Sequence, residues 1–313
     1  MNPEVLALGG FSEPTRAEMR SRFTLHHFDD AAQFELSANA ETFGRIVAIG
    51  NEPNRHVTAQ LMDKLPNLKV ISVCGMGTDA IDLQAAAARN IAVTITPNVL
   101  GDEVGDFAIG LMLASARMII DGDRFVREGK WLEGRMKLGR SVGGKTMGVV
   151  GLGGIGRAIA DRGAAMKMNV LYNGPRHKPD APYTYIPDIV ELARLSDYLM
   201  LACKGGPDTV KLVSADVINA LGPAGTLVNV SRGTVVDEKA MIHALQTGAL
   251  GFAALDVFEN EPHVDPALLT LPNVIIQPHQ ASATLETRSR MGMAMIENIF
   301  SVLANEPAAT RAR

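Results

Sequence analysis

Three residues with acid–base or charge-binding chemistry each follow a short apolar run in the second half of the chain. Arg232 follows Thr226–Val230, Glu261 follows Phe252–Asp256, and His279 follows Asn273–Gln277. A carbonyl that accepts a hydride becomes an alkoxide, so reduction of a ketone needs a proton donor beside the oxygen. Histidine suits that task because its unperturbed pKa of about 6.5 lies near working pH. His279 is the expected donor, and Glu261 the carboxylate that holds its second ring nitrogen and stabilises the imidazolium. Arg232 offers a planar fork of donors for a substrate carboxylate and for polarising the carbonyl. Asp256, at the end of its strand, is expected to orient the cofactor or its neighbours. Each residue alone has an ordinary alternative, namely a structural histidine, a paired arginine or a solvated glutamate. Three in succession on strand ends favour a common site. His26, His27, His56, His177, His243 and His263 lack such placement and read as structural or surface residues.

These side chains need a scaffold that also holds a hydride source. Gly151-Leu152-Gly153-Gly154-Ile155-Gly156 provides the signature, because Thr146–Val150 before it reads as a strand and Arg157–Met166 after it as a helix. The first glycine permits the tight turn, the second lets backbone approach a pyrophosphate, and the third allows close helix–strand packing. The helix dipole favours the anion. The next strand, Met168–Tyr172, is followed by Asn173-Gly174-Pro175-Arg176-His177-Lys178, with no acid until Asp180. An acid near this strand end usually bonds the ribose hydroxyls of NAD. Its absence, with Arg176 and Lys178 nearby, favours the 2′-phosphate of NADP (NADPH), with NAD as the lesser alternative. A solvated basic loop is the competing reading.

Apolar runs at 146–150, 168–172, 197–202, 226–230, 252–256 and 273–277 alternate with helical segments such as 154–166, 214–221 and 237–247. Six strands with helical crossovers predict a doubly wound, mostly parallel sheet. A smaller alternation precedes it, with strands at Val5–Leu8, Arg45–Ile49, Lys69–Val73 and Ile91–Ile95 and helices near 56–63 and 80–89. Long helices are expected over Asp102–Arg117 and 284–304. The fold class is therefore α/β with two Rossmann-like domains and an active-site cleft between them. Residues 1–98 with 285–313 are the expected substrate-binding domain, and 99–284 the dinucleotide-binding one. In the first, Cys74-Gly75-Met76-Gly77-Thr78-Asp79 joins a strand to a helix. Its amides could cradle a carboxylate, or the glycines could serve a plain turn.

Composition excludes several classes. Of 313 residues, 47% are hydrophobic and 20% charged, which fits globular domains rather than disorder. A net charge of −4 with mixed signs offers no footprint for nucleic acid. Phe107–Ile120 is too short for a membrane span, and the N-terminal residues lack the basic stretch of a signal peptide. Two cysteines, Cys74 and Cys203, read as buried free thiols in a cytoplasmic protein, and their spacing suits no metal.

The ordered motifs resemble the D-2-hydroxyacid dehydrogenase family over almost the whole chain. They are Gly75–Asp82, Thr96–Val104, Gly148–Gly156, Asn229–Asp237, Leu255–Pro262 and Gln277–Ala283. Within the family the pattern is most similar to NADPH-preferring glyoxylate/hydroxypyruvate and hydroxyphenylpyruvate reductases. The resemblance implies reduction of a small-molecule 2-oxo acid to the D-2-hydroxy acid, with Arg232, Glu261 and His279 as the catalytic trio. It implies cofactor contacts from Leu152 through Ile155, within the Gly151–Gly156 turn already read as cofactor-binding, at Gly174, Pro175 and Arg176, and at Val230 and Asp256. Met76 and Gly77 match the backbone pair that holds the substrate carboxylate. It further implies a homodimer, with Arg124–Arg140, including Trp131, as the dimer arm. Gly101 where relatives often carry Thr, Gln280 after the histidine, and Cys203-Lys-Gly-Gly-Pro-Asp-Thr209 depart from the common pattern. A dinucleotide-sensing, corepressor-like binding protein and another dehydrogenase of the family, for formate or phosphoglycerate, are the alternatives.

Overall fold

The computed structural model describes residues 2–97, 99–306 and 310. Asn98, which belongs to the Thr96–Val104 motif and to the expected domain boundary, lies outside the described residues, as do 307–309 and 311–313 of the expected C-terminal segment. The chain divides into two compact units, Met1–Leu100 with Ala283–Arg313, and Gly101–Ser282.

The first unit contains β1 (Glu4–Leu8), α1 (Glu13–Arg22), β2 (Thr24–Phe28), α2 (Ala31–Ser37), α3 (Ala40–Arg45), β3 (Ile46–Asn51), α4 (Ala59–Lys64), β4 (Val70–Val73), α5 (Leu83–Ala88) and β5 (Ala92–Thr94). Among the described residues its strands form one parallel sheet, in the order β2-β1-β3-β4-β5. Leu6, Leu8, Ile46, Ile49 and Ile71 are fully buried, as a parallel sheet covered on both faces requires.

The second unit contains α6 (Gly101–Arg117), α7 (Ile119–Arg127), β6 (Thr146–Val150), α8 (Gly154–Ala165), β7 (Asn169–Asn173), β8 (Thr184–Tyr185), α9 (Ile189–Leu195), β9 (Tyr198–Leu201), α10 (Ala215–Leu221), β10 (Thr226–Asn229), α11 (Glu238–Thr247), β11 (Phe252–Leu255), α12 (Pro266–Thr270) and β12 (Val274–Ile276). Its parallel sheet runs β12-β11-β10-β9-β6-β7-β8. The order reverses beside β6, the switch point at which open α/β sheets bind ligands. Leu199, Met200, Leu201, Leu227 and Val228 are completely buried. Each such side chain contributes roughly 1.5–3 kcal/mol, so the central strands form a stiff platform for the loops at their carboxyl ends. The chain then returns to the first unit through α13 (Leu285–Leu303), where the Met295 carbonyl accepts from the buried Ser72 hydroxyl at 3.1 Å.

Three details differ from the sequence reading. The edge strands β2 and β8 and helices α1–α3 were not anticipated. Helix α6 ends at Arg117 as expected, because Met118 adopts φ 54°, a left-handed conformation that no helix continues through, but α7, absent from the sequence reading, starts anew beyond it. Cys74 is buried but Cys203 is only partly so, because it lies beyond the end of β9 at the open edge of the sheet.

Candidate active site

The glycine turn after β6 has the shape that a pyrophosphate needs. Gly151 sits at φ +91°, and a Cβ there would lie 2.5 Å from Cys203 Cα. A Cβ on Gly156 would lie 1.9 Å from the Gly151 carbonyl oxygen, so the turn closes onto α8 only without side chains. Gly153 and Gly154, by contrast, are exposed and face open space. Gly153 caps α8 with no side-chain bond, leaving the helix's first amides for an external anion. These residues fit a bound dinucleotide.

The loop after β7 is held firmly. Tyr185 donates its hydroxyl to the Gly174 carbonyl at 3.0 Å, and Asn173 donates its side-chain amide to the Ile186 and Pro187 carbonyls. No carboxylate occupies this strand end, and Asp180 is drawn into an ion pair with Arg157 at 2.7 Å. The two cations expected to face a 2′-phosphate are placed differently. Arg176 is exposed and, among the described residues, has no hydrogen bond or ion pair. Lys178 instead donates its ammonium to the Leu152 carbonyl within the glycine turn. Its charge tethers the turn.

Arg232 follows β10 and Val230, whose side chain is buried. Asn229 braces this stretch by donating to the Arg232 carbonyl at 3.0 Å while accepting from the Ser231 amide and hydroxyl at 3.0 and 2.8 Å. Next to it, Gly233 would place a Cβ 1.8 Å from the Phe258 carbonyl carbon. The backbone carrying Arg232 therefore lies directly on the backbone leading to Glu261.

Glu261 accepts from the Phe258 amide through Oε1 at 3.1 Å and meets His279 Nδ1 through Oε2 at 2.8 Å. Burial alone would raise the Glu261 carboxyl. The hydrogen bond and charge of His279, the Phe258 amide and the nearby Arg232 guanidinium together hold it below the ordinary value of 4.5. All three expected catalytic residues are thus placed in one unit, with two in direct contact and the third close enough to act on the carboxylate.

His279 occupies an unusual backbone position, at φ +56°. A left-handed conformation costs a non-glycine residue on the order of 1–2 kcal/mol, so something must hold it. Asp256 does so. Its carbonyl accepts from the His279 amide at 2.9 Å, and its carboxylate oxygens accept from the Gln280 and Ala281 amides at 2.7 and 2.9 Å. The side chain is 1% exposed, and burial pushes its pKa up against the opposing pull of those amides. The sequence reading expects Asp256 to orient the cofactor or its neighbours; an acid ending an apolar strand signals a carboxylate in need of donors, but not which amides supply them. Met76 and Gly77 lie in the first unit, in the turn after β4. Among the described residues their amides have no hydrogen-bond partner, while the Gly75 carbonyl accepts from the Thr96 amide at 2.8 Å.

The family model for the D-isomer specific 2-hydroxyacid dehydrogenase NAD-binding domain matches residues 109–281. A 2-ketogluconate reductase of Gluconobacter oxydans is 42% identical over 308 residues, covering 98% of both chains. A hydroxyphenylpyruvate reductase of Plectranthus scutellarioides is 40% identical, covering 98% of this chain and 97% of its own. The crystal structure of an NADPH-dependent glyoxylate/hydroxypyruvate reductase from Sinorhizobium meliloti, in complex with NADP and malonate, superposes with a TM-score of 0.92 at 37% identity, covering 100% of this chain and 97% of that one. With the glycine turn, the parallel sheet and the paired His279 and Glu261 already in place, these likenesses settle the family: the chain belongs to the D-isomer specific 2-hydroxyacid dehydrogenases.

Proposed function

We propose that this protein uses NADPH to reduce a short 2-oxo acid, of the glyoxylate or hydroxypyruvate class, to the D-2-hydroxy acid. The observation that carries the reading is the 2.8 Å contact between Glu261 and His279 at strand ends of the sheet that also bears the glycine turn. The reduced nicotinamide supplies the hydride when bound. Residues 151–156, Gly174, Pro175, Arg176, Val230 and Asp256 are the positions proposed to hold that cofactor.

Arg232 binds the substrate carboxylate and polarises the carbonyl, and the Met76 and Gly77 amides contribute to holding the carboxylate. His279 carries the proton on Nε2. Glu261 holds the Nδ1–H and so fixes the orientation of the ring before transfer. Once the proton has passed to the developing alkoxide, the neutral ring keeps its Nδ1–H on Glu261 and so does not turn.

The NADPH preference is supported by the missing carboxylate at the β7 end and by the uncommitted Arg176. The relatives act on substrates from glyoxylate to 2-ketogluconate by name, so the reacting 2-oxo acid group is the shared element. A homodimer built on the segment around Trp131 is part of the proposal. Its support is a run of exposed apolar side chains, including Ile119, Val126, Trp131 and Leu132. Two unpaired cysteines suit a reducing cytoplasm. A screen of NADPH and NADH oxidation with glyoxylate, hydroxypyruvate, pyruvate, phenylpyruvate, hydroxyphenylpyruvate and 2-ketogluconate tests the reading. Turnover with a short 2-oxo acid and a lower KM for NADPH than for NADH is expected. No oxidation with any pair would overturn it.

A further inference from the structure

The segment Cys203–Thr209, between β9 and α10, runs between two parts of the site. At one end the Cys203 backbone packs under Gly151, in the space a Gly151 Cβ would need. At the other, Gly205 faces the side chain of Arg232. A Cβ built on Gly205 would lie 2.6 Å from Arg232 Cγ, 3.2 Å from its Cβ and 3.7 Å from its Cδ. The atoms in conflict are the stem of the arginine rather than its mobile tip, so a small shift of the guanidinium would not relieve the contact. The Gly205 φ lies outside the left-handed region, so its own backbone conformation does not demand glycine. The segment is also unable to retreat easily. Thr209 donates its hydroxyl to the Lys204 carbonyl at 2.8 Å and its amide to the Gly206 carbonyl at 3.0 Å, which ties the turn from both sides of Gly205.

We propose that Gly205 is a positioning residue for Arg232, its missing side chain being the space into which the arginine stem folds. With that space filled, the stem must leave its rotamer, and the guanidinium fork moves away from where it meets the substrate carboxylate. The proposal rests on the reading that Arg232 binds that carboxylate, and it adds the residue that sets the arginine's pose.

A double-mutant cycle tests it with the full-length enzyme: Gly205→Ala, Arg232→Ala and the pair, assayed with NADPH and the best 2-oxo acid of the screen. Gly205→Ala is expected to lower kcat/KM for the 2-oxo acid at least tenfold, mainly through KM. NADPH binding, followed by fluorescence, and thermal stability should stay close to wild type. In the Arg232→Ala background the same change should have no further effect, because the group it displaces is gone. An equal loss in both backgrounds, an unchanged kcat/KM in the single variant, or a loss of NADPH binding or stability alongside activity would overturn the proposal. Normal turnover in Arg232→Ala itself would instead refute the underlying assignment of Arg232.

Discussion

Replacing Asp256 by asparagine should damage the loop that carries His279 without altering that residue itself. The carboxylate is buried and accepts two amides, from Gln280 and Ala281, at 2.7 and 2.9 Å. Asparagine keeps one acceptor oxygen and turns an N–H toward the other amide. One hydrogen bond to a charged group, worth about 1.5–3 kcal/mol, is lost, and a buried donor is left unsatisfied. Part of this is offset, because burial already disfavours the ionised Asp256 carboxyl. The net loss should be about 2–3 kcal/mol, or a fall in Tm of roughly 5–10 °C for a domain of this size. The same bonds hold His279 in its left-handed conformation, whose strain is comparable to the loss. The imidazole should therefore drift from its place, and a misplacement near 1 Å costs on the order of a hundredfold in rate. Thermal unfolding and steady-state kinetics at saturating NADPH measure both effects. An Asp256→Asn enzyme with wild-type Tm and kcat would refute the claim that this carboxylate carries the His279 turn.

Two further outcomes follow from the electrostatics. Arg176→Ala should raise KM for NADPH about tenfold, given a charge-assisted contact of 1.5 kcal/mol or more, and leave KM for NADH nearly unchanged; equal effects on both cofactors would remove Arg176 from the phosphate site. The Glu261 carboxyl lies below its ordinary value of 4.5 in the folded chain. Its pairing with His279 should therefore contribute stability fully above about pH 4.5 and lose it as pH falls through the depressed value. Denaturant unfolding of wild type and Glu261→Gln should show a difference that shrinks with acidification below that point, and a constant difference would contradict the assignment.

The parts of the fold that were legible in the sequence are those buried on both faces. β6, β9 and β10 are continuous apolar runs because helices cover each side, and the runs themselves locate them within a residue or two. The two missed strands are both edges. β2 reads Thr-Leu-His-His-Phe, with residues from partly buried to exposed, and β8 has only two residues, so neither carries an apolar run. Helix α1 buries only Thr15 and Met19 and begins Glu-Pro, which reads as easily as a loop. In the site, the convergence of Arg232, Glu261 and His279 could be inferred because three strand ends on one edge of a parallel sheet must be neighbours. The fit of Gly205 against Arg232 could not, because it depends on loop conformations that no spacing rule encodes; Asp256 at the end of an apolar strand signals a carboxylate in need of donors, but not which amides supply them. Lys178 shows the same limit: its charge was visible, but its bond to the Leu152 carbonyl required the fold of both loops.

We propose that His279, braced by Glu261, delivers the proton as the 2-oxo acid is reduced. The most direct measurement is kcat/KM for NADPH oxidation by wild type and His279→Gln on the same 2-oxo acid, with NADPH affinity of each followed by fluorescence. A loss of at least about a hundredfold in kcat/KM with unchanged NADPH affinity is predicted. A His279→Gln enzyme turning over within a few-fold of wild type would contradict it.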